Sequence, residues 1–190
     1  MKRKILVCAL IIGVLAVSAL GTLAYFTSED TATNVVTAGN VKIELKENAL
    51  SEDGQTLVPF ENNQIGIMPA SEVSKIVTVE NTGDQPAFIR IKLDKSIIIA
   101  EDKTNETDLS LVSYDLNLKD WTEKDGWYYY NAALPAGEET VPIFTKVKFA
   151  DEMSNMYQNS KAVINVKAQA TQVIHNGATV FEATGWPKSE

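Results

Sequence analysis

The sequence predicts an all-β protein, an antiparallel jelly-roll-like β-sandwich of about seven to nine strands, preceded by an N-terminal signal helix. Apolar and polar residues alternate with a period of two in several segments, as they do in half-buried strands. Clusters of turn-forming residues separate those segments. Helical periodicity occurs only in a short segment at residues 151–158. The 190 residues are 45% hydrophobic and 22% charged, which suits one globular domain.

The N-terminus has the pattern of an export signal. A cluster of three basic residues precedes the uncharged apolar run 5–20, and small residues end at Ala24. This order of charge, apolar run and small residues is typical of a secretory signal peptide, so we expect cleavage between Ala24 and Tyr25, or one residue later before Phe26. The alternative is an uncleaved membrane anchor, since residues 5–26 are long enough to span a bilayer.

Three regions follow from this pattern. Residues 1–24 are the signal peptide, residues 25–38 are an N-terminal segment, and residues 39–190 are the β-sandwich domain. Cleavage would remove three basic residues and Cys8, the only cysteine. The secreted protein would keep 14 basic against 25 acidic residues.

Charge and composition exclude several functional classes. The whole chain carries a net charge of −8, and an acidic protein repels phosphate backbones, so we expect no nucleic-acid partner. One histidine and one cysteine are too few for zinc fingers, thiol redox chemistry or a nucleophile–base pair. We therefore expect no cofactor and no enzymatic activity.

The first predicted strands lie in the N-terminal half of the domain. Val41, Ile43 and Leu45 alternate with charged residues. Residues 73–80 are rich in β-branched side chains and end at a turn cluster, after which residues 87–93 alternate again, so these two runs predict a hairpin. The polar stretches 47–64 and 101–110 predict surface loops.

The C-terminal half continues the pattern. Asp125 and Gly126 form a tight-turn dipeptide between two aromatic runs. The further predicted strands are residues 112–118, 141–149 (with Pro142 at an edge or bulge), 162–170 and a short last strand at 180–183.

The N-terminal segment is a candidate for polymerisation. Residues 25–38 contain no proline and four threonines, and one face carries mostly small side chains, including Phe26, Ala32 and Val36. Such a segment can add a strand to an open sheet edge of a second copy, which predicts head-to-tail fibres by donor-strand exchange. The alternative is that residues 25–38 are a flexible tail or a strand of their own domain.

Several motifs carry a resemblance to a known family. They are GTLAYFTS at 21–28, TAGNVKI at 37–43, VENTGDQPAFIR at 79–90, GWYYY at 126–130, LPAGE at 134–138 and AQA at 168–170. With these motifs the chain resembles the TasA/camelysin family of exported Gram-positive proteins, and its shorter length is closer to the compact clostridial BsaA type.

The resemblance implies a jelly-roll-like domain that assembles with itself into extracellular biofilm matrix or pilus-like fibres. It also implies processing by a signal peptidase of the SipW type and a possible accessory matrix subunit or anchor. Membrane contact would occur only through the uncleaved signal, and the processed protein would be secreted or held at the cell surface.

The family name also raises the alternative of a cell-surface metallopeptidase. Zinc proteases hold their ion with several histidines and carboxylates, whereas His175 stands alone beside an Asn-Gly dipeptide, which predicts a surface turn. The acidic pairs at 101–102 and 151–152 lack calcium-loop spacing and predict solvated turns. The sequence therefore predicts no metal site.

A second alternative is a monomeric adhesin or carbohydrate-binding module. The aromatic residues Trp121 and 127–130 can form a sugar platform, but aromatic residues on a hairpin more often form core and cross-strand pairs. Arg90 is expected to bridge to a carboxylate between strands. The LPAGE segment at 134–138 lacks the threonine of a sortase signal, and no apolar tail follows it.

Overall fold

The computed structural model describes residues 35–38, 41–101 and 106–188. These residues form an all-β fold, with only two short 3-10 turns at Leu109–Leu111 and Asn155–Tyr157. None of the helices in these ranges is long and apolar enough to cross a membrane. The strands are β1 (Val35–Ala38), β2 (Glu44–Leu50), β3 (Leu57–Pro59), β4 (Gln64–Gly66), β5 (Glu72–Ser74), β6 (Ile76–Glu80), β7 (Ala87–Ile98), β8 (Val112–Tyr114), β9 (Trp121–Lys124), β10 (Trp127–Tyr130), β11 (Lys146–Phe149) and β12 (Lys161–Gln172).

The largest sheet has the strand order β1-β12-β7-β10-β9, and β4 also pairs with β12. Its centre is the antiparallel ladder of β7 and β12, which runs over twelve residues from Ala87↔Gln172 to Ile98↔Lys161. All its pairings are antiparallel except that of β1 with β12, which is parallel. The predicted antiparallel all-β class is thus confirmed, with one parallel strand at an edge.

Two smaller sheets form the other layer, with the orders β3-β2-β6 and β5-β11-β8. The irregular segment before β11 joins them, because the backbone of Thr140 and Ile143 donates hydrogen bonds to the carbonyls of Val79 (2.9 Å) and Val77 (3.0 Å). Apolar side chains from the large sheet and from both small sheets share one buried cluster. The layers therefore pack as a sandwich around a single core.

The alternation predicted for the last long strand is confirmed by burial. One face of β12 is completely enclosed, and it consists of Ala162, Ile164, Val166, Ala168 and Ala170, each at most 1% exposed. The predicted tight turn is also confirmed, since β9 and β10 form a hairpin in which Asp125 (φ 53°) and Gly126 (φ 76°) are both left-handed. Two such residues define the type I′ turn that suits the twist of a hairpin.

The predicted hairpin of residues 73–80 and 87–93 is wrong. β6 pairs with β2 in one layer, whereas β7 pairs with β12 and β10 in the other. The chain crosses between layers at Asn81, which is fully buried and whose side-chain amide donates to the carbonyls of Gln85 (2.8 Å) and Leu134 (3.0 Å). This long-range bond to Leu134 fixes a corner that local sequence does not encode.

Five other expectations need correction. Residues 47–64 are not a loop, because β2 continues to Leu50 and returns as β3, and the exposed position of this hairpin explains its polar composition. Residues 180–183 form turns rather than a strand. In the segments 112–118 and 141–149, only β8 and β11 are strands, and the segment 151–158 contains a 3-10 turn instead of an α-helix.

Candidate functional site

The edge of the large sheet formed by β1 is the candidate assembly site. β1 lies parallel to β12, with Val35 opposite Ala168 and Ala38 opposite Thr171. Further along the same edge, β4 pairs antiparallel with Lys161–Val163 of β12. Two short strands of opposite direction therefore share one side of a long strand.

Between these two pairings, residues 165–167 of β12 have no strand partner on this side in the described part of the chain. The amide of Ile164 donates to the carbonyl of Asn63 on this side, at 3.0 Å. Because backbone groups alternate in direction along a strand, the N–H and C=O of Val166 point the same way. This arrangement can accept further backbone hydrogen bonds from an extended segment.

The residues predicted for cleavage and polymerisation lie mostly outside the described residues. Ala24, Tyr25, Phe26 and Ala32 belong to that undescribed portion, as does the predicted signal helix. Val36 lies in β1, where its backbone is opposite Gln169. Residues 35–38, assigned to the N-terminal segment on sequence grounds, are thus an edge strand of their own domain.

On the face of the large sheet that points away from the core, Arg90 is held in an aromatic cage. Its guanidinium carbon lies 4.1 Å from the ring centre of Trp127 and 4.5 Å from that of Trp186. Its Nε and one terminal nitrogen donate to Oε1 of Gln169 at 2.9 and 2.6 Å, and the other terminal nitrogen donates to the hydroxyl of Tyr129 at 3.1 Å. Cation–π contacts and hydrogen bonds therefore fix the position of this charge.

The expectation that Arg90 bridges to a carboxylate on a neighbouring strand is wrong. In the strand register, Arg90 lies opposite Gln169 on one side and Tyr129 on the other, so no acidic residue is opposite it in either pairing. The Nε2 group of Gln169 is buried, and it has no hydrogen-bond partner among the residues that the structure describes. Sequence reasoning missed Trp186, because it approaches from an irregular C-terminal segment without strand periodicity.

The other aromatic residues form core and cross-strand contacts, as predicted. Trp121 is fully buried and its ring centre lies 5.1 Å from that of Tyr130. Tyr129 contacts Phe181 and Trp186 from the C-terminal segment, with ring centres 5.7 and 5.8 Å apart. These contacts leave little of Trp121 and Tyr129 for a sugar platform.

A buried ion pair was not predicted from the sequence. Lys75 has no exposed surface, and its Nζ lies 2.6 Å from Oε2 of Glu47 and 4.0 Å from the ring centre of Phe60. Burial lowers the pKa of the Lys75 amine from its usual value, although Glu47 opposes this shift. The pair lies in the layer of the smaller sheets, where Lys75 separates β5 from β6.

The candidate metal-binding residues form no metal-ligand group in the described part of the chain. His175 is exposed in a turn with φ of 59°, as predicted. Glu101, Asp151 and Glu152 are exposed, and Asp102 lies outside the described residues. Within the described ranges, no group of three or more histidine, cysteine, aspartate or glutamate side chains is placed to hold a metal ion.

Comparison with known proteins identifies no relative of this chain. No family model matches the chain, and neither curated proteins nor solved structures give a match. The functional assignment therefore depends on the residues of the chain itself.

Proposed function

We propose that the chain is a secreted structural subunit of the TasA/camelysin type that polymerises into biofilm matrix or pilus-like fibres by donor-strand exchange. The observation that carries this proposal is the edge of β12, where β1 pairs in parallel over four described residues and β4 pairs over three. A short strand makes few hydrogen bonds, so its replacement by the same segment of another copy costs little.

The register of β1 indicates how the donor would lie. Val35 is opposite Ala168, so in a donor that continued this parallel pairing towards the N-terminus, residues 32–34 would come to lie opposite residues 165–167. A donor of residues 32–38 would therefore fill the edge as far as the start of the β4 pairing. Because this contact joins different surfaces of two copies, it does not close on itself and a filament grows.

We further propose a jelly-roll-like topology and export by a cleaved signal. Support for the topology comes from β6 and β7, which are consecutive in sequence and lie in opposite layers. Support for export comes from the sequence pattern around Ala24, and a SipW-type peptidase would release Tyr25 as the new N-terminus. Until cleavage, the segment would tether the subunit to the membrane and delay assembly. N-terminal sequencing of the extracellular protein is expected to give Tyr25.

We propose that the protein is not an enzyme. The sequence contains one histidine and, after signal cleavage, no cysteine, too few groups for a zinc ion or a nucleophile–base pair. The competing functions are a camelysin-like metallopeptidase and a monomeric adhesin. Cleavage of casein by the protein, with loss of this activity in His175→Ala, would support the metallopeptidase. Retention of the protein on polysaccharide without polymer formation would support the adhesin.

The deciding experiment removes residues 25–36 from the exported protein. We expect a folded monomer by circular dichroism and sedimentation, whereas the complete secreted protein gives a ladder on a boiled, unreduced gel or fibres by electron microscopy. A matched control keeps the length and replaces residues 25–31, which precede the proposed donor 32–38, with glycine and serine, and it is expected to polymerise normally. Polymers of normal length from the deletion variant would refute the donor role.

A further inference from the structure

The outer face of the large sheet is basic although the protein is acidic. The side chains that alternate with the core residues of β7, β9 and β12 place four cations around the aromatic cage, and these are Arg90, Lys92, Lys124 and Lys167. We name this group the basic face. The only carboxylate beside it on these strand faces, within the described residues, is Asp94, 3.5 Å from Lys92. The chain as a whole has 25 acidic against 17 basic residues.

Two of these cations are placed at a cost to stability. Lys92 and Lys167 are directly opposite each other in the antiparallel ladder of β7 and β12. Like charges at opposite positions of a strand pair destabilise the sheet, and a lysine–glutamate pair would be better for folding alone. An anionic partner that neutralises both ammonium groups would remove this repulsion.

Arg90 gives the basic face a fixed charge. Two indole rings and the carbonyl oxygen of Gln169 hold its guanidinium, and no ion-pair partner is recorded for it in the described part of the chain. At physiological ionic strength the Debye length is about 8 Å, so the distant acidic surface of the same subunit is largely screened. A partner close to this face therefore meets local positive charge.

The complementary surface is at one end of the same domain. Five exposed carboxylates, which we name the acidic end, belong to chain segments that follow or contact the C-terminal part of β7, and these are Glu101, Glu106, Asp108, Asp151 and Glu152. Two lysines, Lys95 of β7 and Lys161 opposite Ile98, lie at the same end, so carboxylates outnumber ammonium groups there by five to two. Hydrogen bonds join their segments, since the backbone amide of Ala150 donates to the carbonyl of Leu111 (3.0 Å) and the backbone amide of Asp108 donates to the hydroxyl of Tyr157 (2.9 Å). Neither Asp151 nor Glu152 has an ion-pair partner among the described residues.

We propose that the basic face docks on the acidic end of a second copy of this chain. Arg90 is eight residues from Ile98, the last residue of β7, so the two surfaces are about 27 Å apart along the strand. Surfaces at different places on one subunit give a head-to-tail contact that continues from copy to copy. The proposal rests on the polymer-forming function above and adds the charged contact that orients successive subunits.

The test is a charge swap in the complete exported protein. The face variant Lys92→Glu/Lys167→Glu keeps a like-charge pair in the ladder but removes the contact of Lys92 with Asp94, so its urea midpoint is measured first to establish that it folds. We expect it to raise the critical concentration for assembly about tenfold at 50 mM salt, and much less at 500 mM salt. Adding Asp151→Lys/Glu152→Lys to the same chain leaves three carboxylates and two new ammonium groups at the acidic end, which can pair with the new carboxylates of the face, and is expected to restore part of the assembly.

Controls separate this contact from general charge effects and from the donor strand. Lys42→Glu/Lys119→Glu changes the net charge equally at exposed positions outside the basic face, and it is expected to assemble normally. If the unchanged protein polymerises and the face variant does so equally well at both salt concentrations, the docking is refuted while the donor strand stands. If the unchanged protein never assembles, both proposals fail. The face variant could also assemble normally but no longer be retained on a polyuronate gel that retains the unchanged protein. That result would assign the basic face to a polysaccharide and would overturn the docking.

Discussion

The ammonium group of Lys75 and the carboxylate of Glu47 form an ion pair at 2.6 Å in which the lysine has no contact with solvent. The two partners are not equally dependent on each other. The Glu47 side chain keeps 19% of its surface exposed, whereas the charge of Lys75 is buried against Glu47 and the Phe60 ring. Breaking a buried pair leaves an uncompensated charge, and the size of that penalty depends on which partner can still reach water.

This asymmetry gives the first prediction. Glu47→Gln is expected to lower the free energy of unfolding by about 3 kcal/mol, because it leaves a buried ammonium without its carboxylate. Lys75→Met is expected to change it by less than about 1 kcal/mol, because the remaining carboxylate can turn to solvent. Urea denaturation of both variants measures the difference. Equal losses in the two variants would contradict the asymmetry.

The pKa of Lys75 adds a pH dependence to the same pair. Burial lowers the pKa in the folded state below the value of about 10.4 for a free lysine, so the unfolded chain binds the proton more readily. Charged Lys75 lowers the free energy of unfolding below the folded-state pKa, and this loss disappears as pH rises towards the unfolded-state pKa. The unfolding free energy of the original protein is therefore expected to rise relative to that of Lys75→Met between neutral and alkaline pH.

The second prediction concerns the aromatic cage of Arg90. Trp186→Ala removes one ring from the guanidinium and an edge contact with Tyr129, so we expect a loss of about 2 kcal/mol in unfolding free energy. Phe181→Ala is the control, because Phe181 contacts the same Tyr129 but not Arg90, and it is expected to cost about half as much. Urea midpoints followed by tryptophan fluorescence compare the two. A larger effect of Phe181→Ala would contradict the role of the cage.

The third prediction tests the corner between the two layers. Asn81→Ala removes side-chain bonds to the carbonyls of Gln85 and Leu134 in a site with no exposure, which is expected to lower the unfolding free energy by about 3 kcal/mol. Asn131→Ala is a matched control, since Asn131 also bonds a backbone carbonyl but is exposed. Thermal melts of both variants check the prediction. Similar shifts in melting temperature would show that the corner does not depend on Asn81.

The sequence predicted the elements whose burial follows a local period. The small-residue face of β12 and the Asp125–Gly126 turn are examples, because one side of the strand meets the core and the turn needs two left-handed residues. The sequence-based prediction failed where a long-range contact determines the course of the chain, as at Asn81, whose hydrogen-bond partner Leu134 is 53 residues away. It also failed at β3, because an exposed edge strand has no need of alternation.

The candidate site was predictable only in part. The N-terminal segment stood out by composition, but its alternation could not distinguish a donor strand from a strand of its own domain. The parallel pairing of Val36 with Gln169 is set by β12, 133 residues later, and is not encoded locally. The cage of Arg90 was also hidden, since Trp186 belongs to an irregular segment and Gln169 reads as an ordinary polar strand residue.

The last prediction is an acid-sensitive contact at Asp115. Its carboxylate accepts hydrogen bonds from the backbone amides of Thr145 (2.9 Å) and Lys146 (2.7 Å) and from the Thr145 hydroxyl (2.5 Å). Partial burial acts to raise the pKa of this carboxyl, but the hydrogen bonds outweigh burial and lower the pKa below its usual value. These bonds hold the segment before β11 against the chain that leaves β8.

A carboxyl whose pKa is lower in the folded state stabilises the protein above its unfolded-state pKa, and this stabilisation is lost as pH falls through the folded-state value. Asp115→Asn is therefore expected to be less stable than the original protein by about 2 kcal/mol at pH 7, because an amide oxygen replaces only part of the hydrogen bonding. The difference should shrink steadily below pH 4, as Asp115 of the original protein takes up a proton. Urea denaturation from pH 7 to pH 2.5 measures it, with Asp84→Asn as an exposed control. A difference that stays constant over this pH range would show that the charge of Asp115 does not hold the two segments together.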